Sequence, residues 1–114
     1  MKIINKTRNT TISQQTELAD TALSRLVGLL GRDNLPQGHG FIITQCRSIH
    51  MLFMRFTIDV IFVDKNNKVI GLVKRIKPYR MGPYFIRANY CIELPEGTID
   101  ETQTQIGDEL IKEA

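Results

Sequence analysis

One apolar stretch with embedded polar groups, residues 44–64, constrains this chain more than any other part of it. The stretch carries Cys46, His50 and Asp59. Its second half, residues 58–63, is rich in β-branched and aromatic residues and is followed by polar turn residues, which predicts a strand entering a turn. A carboxylate in such a strand, if buried, costs free energy unless it is hydrogen-bonded or paired. The stretch therefore predicts a strand and a candidate site together.

The length of 114 residues predicts one domain over residues 1–114, because it suffices for one hydrophobic core and not for two. Apolar residues at 42% and charged residues at 24% are typical of a globular protein and exclude a disordered chain. Short strand patterns outnumber helical ones. We therefore predict an α+β domain with a mainly antiparallel, barrel-like sheet of short strands and one principal helix, at about residues 20–31.

The helix is predicted from Leu23, Leu26, Val27 and Leu30, whose spacing places them on one face of about three turns. Asp20 or Thr21 is its expected N-cap and Gly31 its expected C-cap, while Gly28 indicates a place where another segment crosses close to the backbone. The remaining pattern predicts strands at 2–6, 10–14, 41–44, 58–63, 68–76 and 88–94, and a turn followed by a last strand within 106–111. It also predicts a hairpin at 66–67, an ordered loop at 77–84 and a helical turn within 98–104.

The net charge of +3 is modest, and one basic run, residues 74–77, is too weak a footprint to favour nucleic-acid binding. No apolar run approaches the roughly 18 residues that a membrane span requires, and the first five residues are too short for a signal peptide. We expect a cytoplasmic monomer with no cofactor. Its two cysteines, Cys46 and Cys91, are not expected to form a structural disulfide in a reducing compartment. Cys91 is predicted to lie in the core.

Cys46 and His50 are four positions apart, so their side chains fall on one face of either a helix or a strand. Three interpretations stay open for them: a buried thiol with a histidine bonded to a carbonyl, a catalytic thiol activated by His50 whose imidazole Asp59 orients, or a zinc site. The spacing alone is a weak metal signal, and we assign no metal. Phosphate-loop, nucleophile-elbow and dinucleotide-binding motifs are absent.

Asp59 is predicted to accept hydrogen bonds from an arginine or from backbone amides, or alternatively to bind a ligand. Arg47, Arg80 and His39 are further candidates for ligand binding, because arginine matches anionic groups bidentately and His39 lies between two glycines in a loop. We therefore predict a non-enzymatic module that binds an unknown small ligand or protein partner. The alternative is a cysteine-dependent hydrolase or transferase that uses Cys46, His50 and Asp59.

Several different short motifs follow one another along the chain, and their order and spacing together resemble the domain of unknown function 192 family. The resemblance extends from about residue 14 to residue 114. They are Ala19-Asp20-Thr21, Arg25, Gly28-Leu29-Leu30-Gly31-Arg32, Leu35-Pro36, Gly40, Cys46-Arg47-Ser48-Ile49-His50, Met54-Arg55-Phe56, Ile58-Asp59-Val60, Phe62-Val63-Asp64, Lys77-Pro78, Arg80, Glu93-Leu94-Pro95, Gly97 and Gly107-Asp108. The resemblance implies a compact α+β, barrel-like domain and lends no reaction.

The chain departs from the commoner pattern of that family at two places. His50-Met51 stands where many members carry a tryptophan-containing run, as in a subgroup with a Cys-Arg-Ser-Ile-His run, and Thr57 stands where proline is usual. The first departure means that a site built on the tryptophan is not transferred to this chain.

Overall fold

The structure is a computed structural model that describes residues 1–114, and it is an α+β domain of eight strands and two short helices. The strands are β1 (Lys2–Asn5), β2 (Thr10–Ser13), β3 (Gln15–Ala19), β4 (His39–Thr44), β5 (Ile58–Val63), β6 (Val69–Ile76), β7 (Tyr90–Pro95) and β8 (Leu110–Glu113). The helices are α1 (Ala22–Val27) and α2 (Thr98–Glu101). None of the helices is long and apolar enough to cross a membrane.

A five-stranded sheet in the order β3-β4-β7-β5-β6 forms the centre of the molecule. All its neighbouring strands are antiparallel except β3 and β4, which run parallel. Every residue of β5 and β7 is buried, because these two strands are covered on both faces. The predicted mainly antiparallel sheet is therefore confirmed, and the strand that carries Asp59 is buried, a point that the sequence analysis left open.

Two hydrophobic clusters cover the two faces of this sheet. Ile58, Val60 and Phe62 of β5 belong to one cluster, while Ile61 and Val63 belong to the other, as the alternation of side chains along a strand requires. A smaller sheet in the order β2-β1-β8 supplies apolar residues to the second cluster. The two sheets do not close into a continuous barrel, so the barrel-like character lies in their packing around this second cluster.

The principal helix is shorter than its sequence pattern predicts. Thr21 is the N-cap, with a capping box formed with Ser24, but α1 ends at Gly28 and not at Gly31. Gly28 has a φ of +50°, so it is a positive-φ helix terminator and not a helical residue at a crossing point. Leu23 and Leu26 are 70% and 74% exposed, which shows that most of the predicted apolar face does not pack into the core.

The hairpin between β5 and β6 forms as predicted, with Asn67 at a φ of +61° in the turn. The predicted loop after β6 is also ordered, because its backbone is hydrogen-bonded to the segment that follows β4. Met51 N donates to Arg80 O, Gly82 N donates to Ile49 O and Phe85 N donates to Arg47 O, at 2.7–2.8 Å. These bonds hold the segment of residues 47–51 against the segment of residues 80–85.

Candidate functional site

A cavity of about 120 Å³ lies between α1 with its following turn and the segment after β4, and we call it the α1 cavity. Its lining is mostly apolar. The lining residues are Arg25, Leu26, Val27, Gly28, Leu29, Leu30, Ile43, Cys46, Ser48, Ile49, His50, Met54 and Glu93.

Gly28 and Leu29 create the roof of the α1 cavity. The positive φ of Gly28 turns the chain away from the helix axis, and Leu29 then enters the core with 2% exposure. An added Cβ at Gly28 would lie 3.9 Å from the side chain of Ile43 on β4, which is ordinary contact. The change of chain direction at Gly28 therefore buries Leu29 in the core, while the end of α1 and the residues that follow it line the cavity.

Glu93 lies at the base of the cavity, on the central strand β7. It pairs with Phe41 on β4 and with Val60 on β5, and it is only 4% exposed. Its Oε1 is buried and has no hydrogen-bond partner. Burial raises the pKa of Glu93 to about 8, with a further rise from Cys46 and a smaller opposing effect of Arg32. At neutral pH this carboxyl is mainly protonated, and it can both donate and accept a hydrogen bond.

The two cysteines meet beside Glu93, although 45 positions separate them in the sequence. The Cys91 Sγ lies 3.1 Å from the Cys46 Sγ and donates to it, and the Cys46 Sγ lies 3.0 Å from the Ser48 carbonyl oxygen, to which it donates. Both cysteines are free. The hydrogen bond from Cys91 lowers the pKa of the Cys46 thiol, whereas the same bond and burial raise the pKa of Cys91. Cys91 is fully buried, as predicted for a core residue.

His50 shares the α1 cavity with Cys46, as their spacing predicts. The backbone of His50 forms a bridge with Met81 of the facing loop, and its side chain is exposed. The cavity therefore combines a thiol, an imidazole at an exposed position and a buried carboxyl. Arg25 adds a guanidinium, whose Nη1 donates to the Asp20 carbonyl at 2.9 Å.

Asp59 is not part of this group. Its Oδ1 accepts from the Arg75 backbone amide and its Oδ2 from the Ile99 backbone amide, both at 2.9 Å. It alternates with Ile58 and Val60, which face the cluster that contains Cys91, and so lies on the opposite face of β5. The convergence of Cys46, His50 and Asp59 that the catalytic alternative requires is absent, because Asp59 is hydrogen-bonded to the backbone of β6 and of α2 on the other face of β5.

The other predicted ligand-binding residues lie apart from the α1 cavity. Arg47 lines a different, open cleft of about 510 Å³ together with Lys65 and Arg87. Arg80 is exposed on the loop after β6. His39 is the first residue of β4 and not a loop residue, at the end of that strand opposite to Cys46. No group of three or more histidines, cysteines or carboxylates is arranged to hold a metal ion.

Glu93 is the site residue that the sequence analysis missed. A signal for it exists, since Glu93 is the one charged residue in the strand Tyr-Cys-Ile-Glu-Leu-Pro. The argument that singled out Asp59, that a buried carboxylate in an apolar strand needs a reason, applies equally to Glu93. The sequence does not show which of the two has its hydrogen bonds satisfied.

Comparison with known proteins gives one family and no activity. The model of the DUF192 family, described as "Uncharacterized ACR", matches residues 3–111. A UPF0127 protein of Thermococcus sibiricus is 39% identical over 95% of this chain and 72% of its own length. A UPF0127 protein of Pyrococcus horikoshii is 32% identical over 95% of this chain and 96% of its own length. A crystal structure of a protein of unknown function from Novosphingobium aromaticivorans has a TM-score of 0.86 at 20% identity, over 98% of this chain and 84% of that one.

Proposed function

The chain belongs to the DUF192 family, and from this premise we propose that it is a non-enzymatic binding module whose ligand occupies the α1 cavity. One observation carries the proposal: the Oε1 of Glu93 is buried at the base of the cavity without a hydrogen-bond partner. A buried polar group without a partner costs about 1–3 kcal/mol. A ligand that hydrogen-bonds to this carboxyl offsets that cost, which is the physical reason to expect binding there.

The chemistry of the cavity defines the class of ligand. An apolar cavity of ~150 Å³ holds benzene, so a cavity of about 120 Å³ suits a group no larger than benzene, which can be part of a small molecule or one side chain of a partner. Because Glu93 is protonated at neutral pH, a neutral group such as an amide or a carbonyl suits it better than a cation. The proposed ligand therefore has a small apolar body and a neutral polar end, with His50 and Arg25 beside it.

The enzyme alternative has weaker support. The lowered pKa of Cys46 and the nearby His50 favour a reactive thiol. However, Asp59 is held by two backbone amides on the other face of its strand. The proposal therefore gives Cys46 and His50 binding roles and assigns no reaction. It further places the module in the cytoplasm as a monomer without nucleic-acid binding, which the free thiols and the modest charge support.

The test compares two substitutions at the same position. Gln reproduces the donor and acceptor of a neutral carboxyl, whereas Met has a similar volume and no such groups, so we expect Glu93→Gln to keep binding and Glu93→Met to weaken it by about tenfold or more. Glu96→Met is the control, because Glu96 is exposed on the chain just after β7. Binding is followed in ¹H–¹⁵N spectra during titration with small amides, ketones, alcohols and carboxylic acids.

The expected shifts in the wild type are concentrated in residues 25–30 and 43–54. The proposal fails if no compound shifts these signals, or if Glu93→Met binds as tightly as the wild type. Native mass spectrometry of freshly purified protein adds a second readout, since a retained molecule should be present in the wild type and absent in Glu93→Met.

A further inference from the structure

The pairing of Cys46 with Cys91 serves no step of the proposed ligand binding. The two side chains come from separate elements, since Cys91 is the second residue of β7 and Cys46 follows the end of β4. Ile43 of β4 pairs with Cys91, and Gln45, at a φ of +53°, turns the chain so that Cys46 reaches back to the same place. The Sγ atoms are 3.1 Å apart, and a disulfide bond requires about 2.05 Å. A movement of about 1 Å would join them.

The two thiols differ in access. Cys91 is 0% exposed and sealed in the core, whereas Cys46 is half-buried and lines the α1 cavity. A small reagent that enters the cavity therefore meets Cys46 first, and Cys91 lies directly behind it. This is the arrangement of an attacking thiol with a resolving thiol. The lowered pKa of Cys46 and the raised pKa of Cys91 agree with that order.

We propose that Cys46 and Cys91 are an oxidation site for small peroxides, at which Cys46 reacts first and Cys91 then closes an intramolecular disulfide. In the first step the Cys46 thiolate attacks one oxygen of hydrogen peroxide, the O–O bond breaks, and the products are a Cys46 sulfenic acid and hydroxide. In the second step the Cys91 sulfur attacks the Cys46 sulfur, the S–O bond breaks, and the Cys91 proton leaves with the hydroxide as water. The hydroxide of the first step takes up the proton that the Cys46 thiol released on ionisation, so in total two electrons pass from the thiols to the peroxide, which becomes two molecules of water.

Formation of the disulfide bond between Cys46 and Cys91 would change the structure around the α1 cavity. The bond would tie the central strand to the segment that begins with Cys46, and the Ser48 carbonyl would lose the Cys46 thiol that now donates to it. Cys46, Ser48, Ile49, His50 and Met54 line the cavity, and residues 47–51 are joined to the loop after β6 by the backbone bonds described above. Oxidation is therefore expected to shift the backbone signals of both segments and to leave β1, β2 and β8 unchanged.

The test uses the reduced full chain and an equimolar amount of hydrogen peroxide. The wild type should lose both free thiols, decrease in mass by two hydrogens, and yield one non-reduced proteolytic fragment that links Cys46 to Cys91. Cys91→Ser should stop at a sulfenic acid on Cys46, detected as a dimedone adduct. Cys46→Ser should keep its buried Cys91 thiol free under the same conditions.

Three results would overturn the proposal. They are a wild type that keeps two free thiols, a wild type that forms only disulfides between molecules, and a Cys46→Ser variant that is oxidised as fast as the wild type. The fragment mapping is done on the unmodified chain, so the outcome does not depend on whether either serine variant folds. Because peroxide is the probe and no ligand is added, failure of the proposed ligand binding leaves this result unaffected.

Discussion

Asp59 and Glu93 are two buried carboxyls on neighbouring strands, and the fold uses them in different ways. In the register of β5 and β7, Asp59 pairs with Leu94 and Glu93 with Val60, so the two side chains point to opposite faces. Asp59 accepts two backbone hydrogen bonds, whereas Oε1 of Glu93 accepts none. The first carboxyl therefore contributes to stability, and the second is a buried group with one oxygen that has no hydrogen-bond partner.

We expect Asp59→Ala to destabilise the protein by about 2–4 kcal/mol, because the buried Ile99 amide and the part-buried Arg75 amide lose their acceptors. Asp64→Ala is a matched control. Asp64 also accepts two backbone amides, from Asn66 and Lys68, but at an exposed turn where water can replace it. Urea unfolding of the three proteins measures the difference. A loss below about 1 kcal/mol for Asp59→Ala would contradict the structural role.

At the residue scale the sequence predicts part of the candidate site. It identifies Cys46 and His50, because they share one short segment and their spacing fixes a common face. It also predicts that Asp59 accepts hydrogen bonds from an arginine or from backbone amides, and the structure shows two backbone amides. It does not predict the contact between Cys46 and Cys91, because that depends on the pairing of β4 with β7 and on the turn at Gln45. Contacts of this kind arise from tertiary structure and leave no local pattern.

At the scale of elements, local signals are predicted better than distant pairing. The β5–β6 hairpin follows from asparagine residues that tolerate positive φ. By contrast, β3 is missed, because its mostly exposed residues show no strand alternation and it forms only by parallel pairing with β4. The length of α1 is overestimated, since Gly28 acts as a terminator three residues before the glycine that the apolar pattern favours.

Gly71 of β6 lies against the ring of Phe85, which belongs to the long loop that follows β6. A Cβ at Gly71 would lie 2.5 Å from the Phe85 ring, which also packs against Phe62 with ring centroids 4.6 Å apart. We expect Gly71→Ala to displace Phe85, destabilise the protein by about 1–3 kcal/mol and speed hydrogen exchange at the Phe85 and Ala88 amides.

A double-mutant cycle separates this contact from other effects of the substitution. If the cost of Gly71→Ala comes from overlap with the ring, it should shrink clearly when Phe85 is already replaced by Ala. An equal cost in both backgrounds would indicate that the Phe85 ring is not the cause.

At the scale of the whole molecule, Asp108 joins the two ends of the chain. Its carboxylate accepts from Asn5 Nδ2 at 2.9 Å, from Arg8 Nε at 3.1 Å and from the Gln105 amide at 2.9 Å. Burial opposes the ionisation of Asp108, but these hydrogen bonds outweigh it, and its pKa is lowered from the ordinary value of 3.8. The three-stranded sheet is thereby connected to the segment that precedes β8.

A lowered pKa in the folded state gives stability that is present above the ordinary pKa and is lost as the pH falls through the folded value. We therefore expect the free energy of unfolding to decrease in acid below about pH 4. Asp108→Asn should be less stable near neutral pH and show a smaller decrease in acid. An unchanged acid dependence in this variant would contradict the assignment to Asp108.

Glu93 gives the opposite dependence at higher pH. Its pKa of about 8 in the folded protein exceeds the ordinary value of 4.5, so between these values the folded protein holds a proton that the unfolded chain has released. The free energy of unfolding should therefore fall as the pH rises from about 4.5 to about 8, by an amount on the order of a few kcal/mol. Glu93→Gln does not titrate and should lack this decrease, while Glu96→Gln, at an exposed position, should behave as the wild type.

Denaturant unfolding at several pH values across this range, compared as the difference between the wild type and Glu93→Gln, isolates the contribution of this carboxyl. If that difference does not vary with pH, Glu93 is already ionised in the folded protein, and the neutral-ligand chemistry assigned to the α1 cavity is wrong.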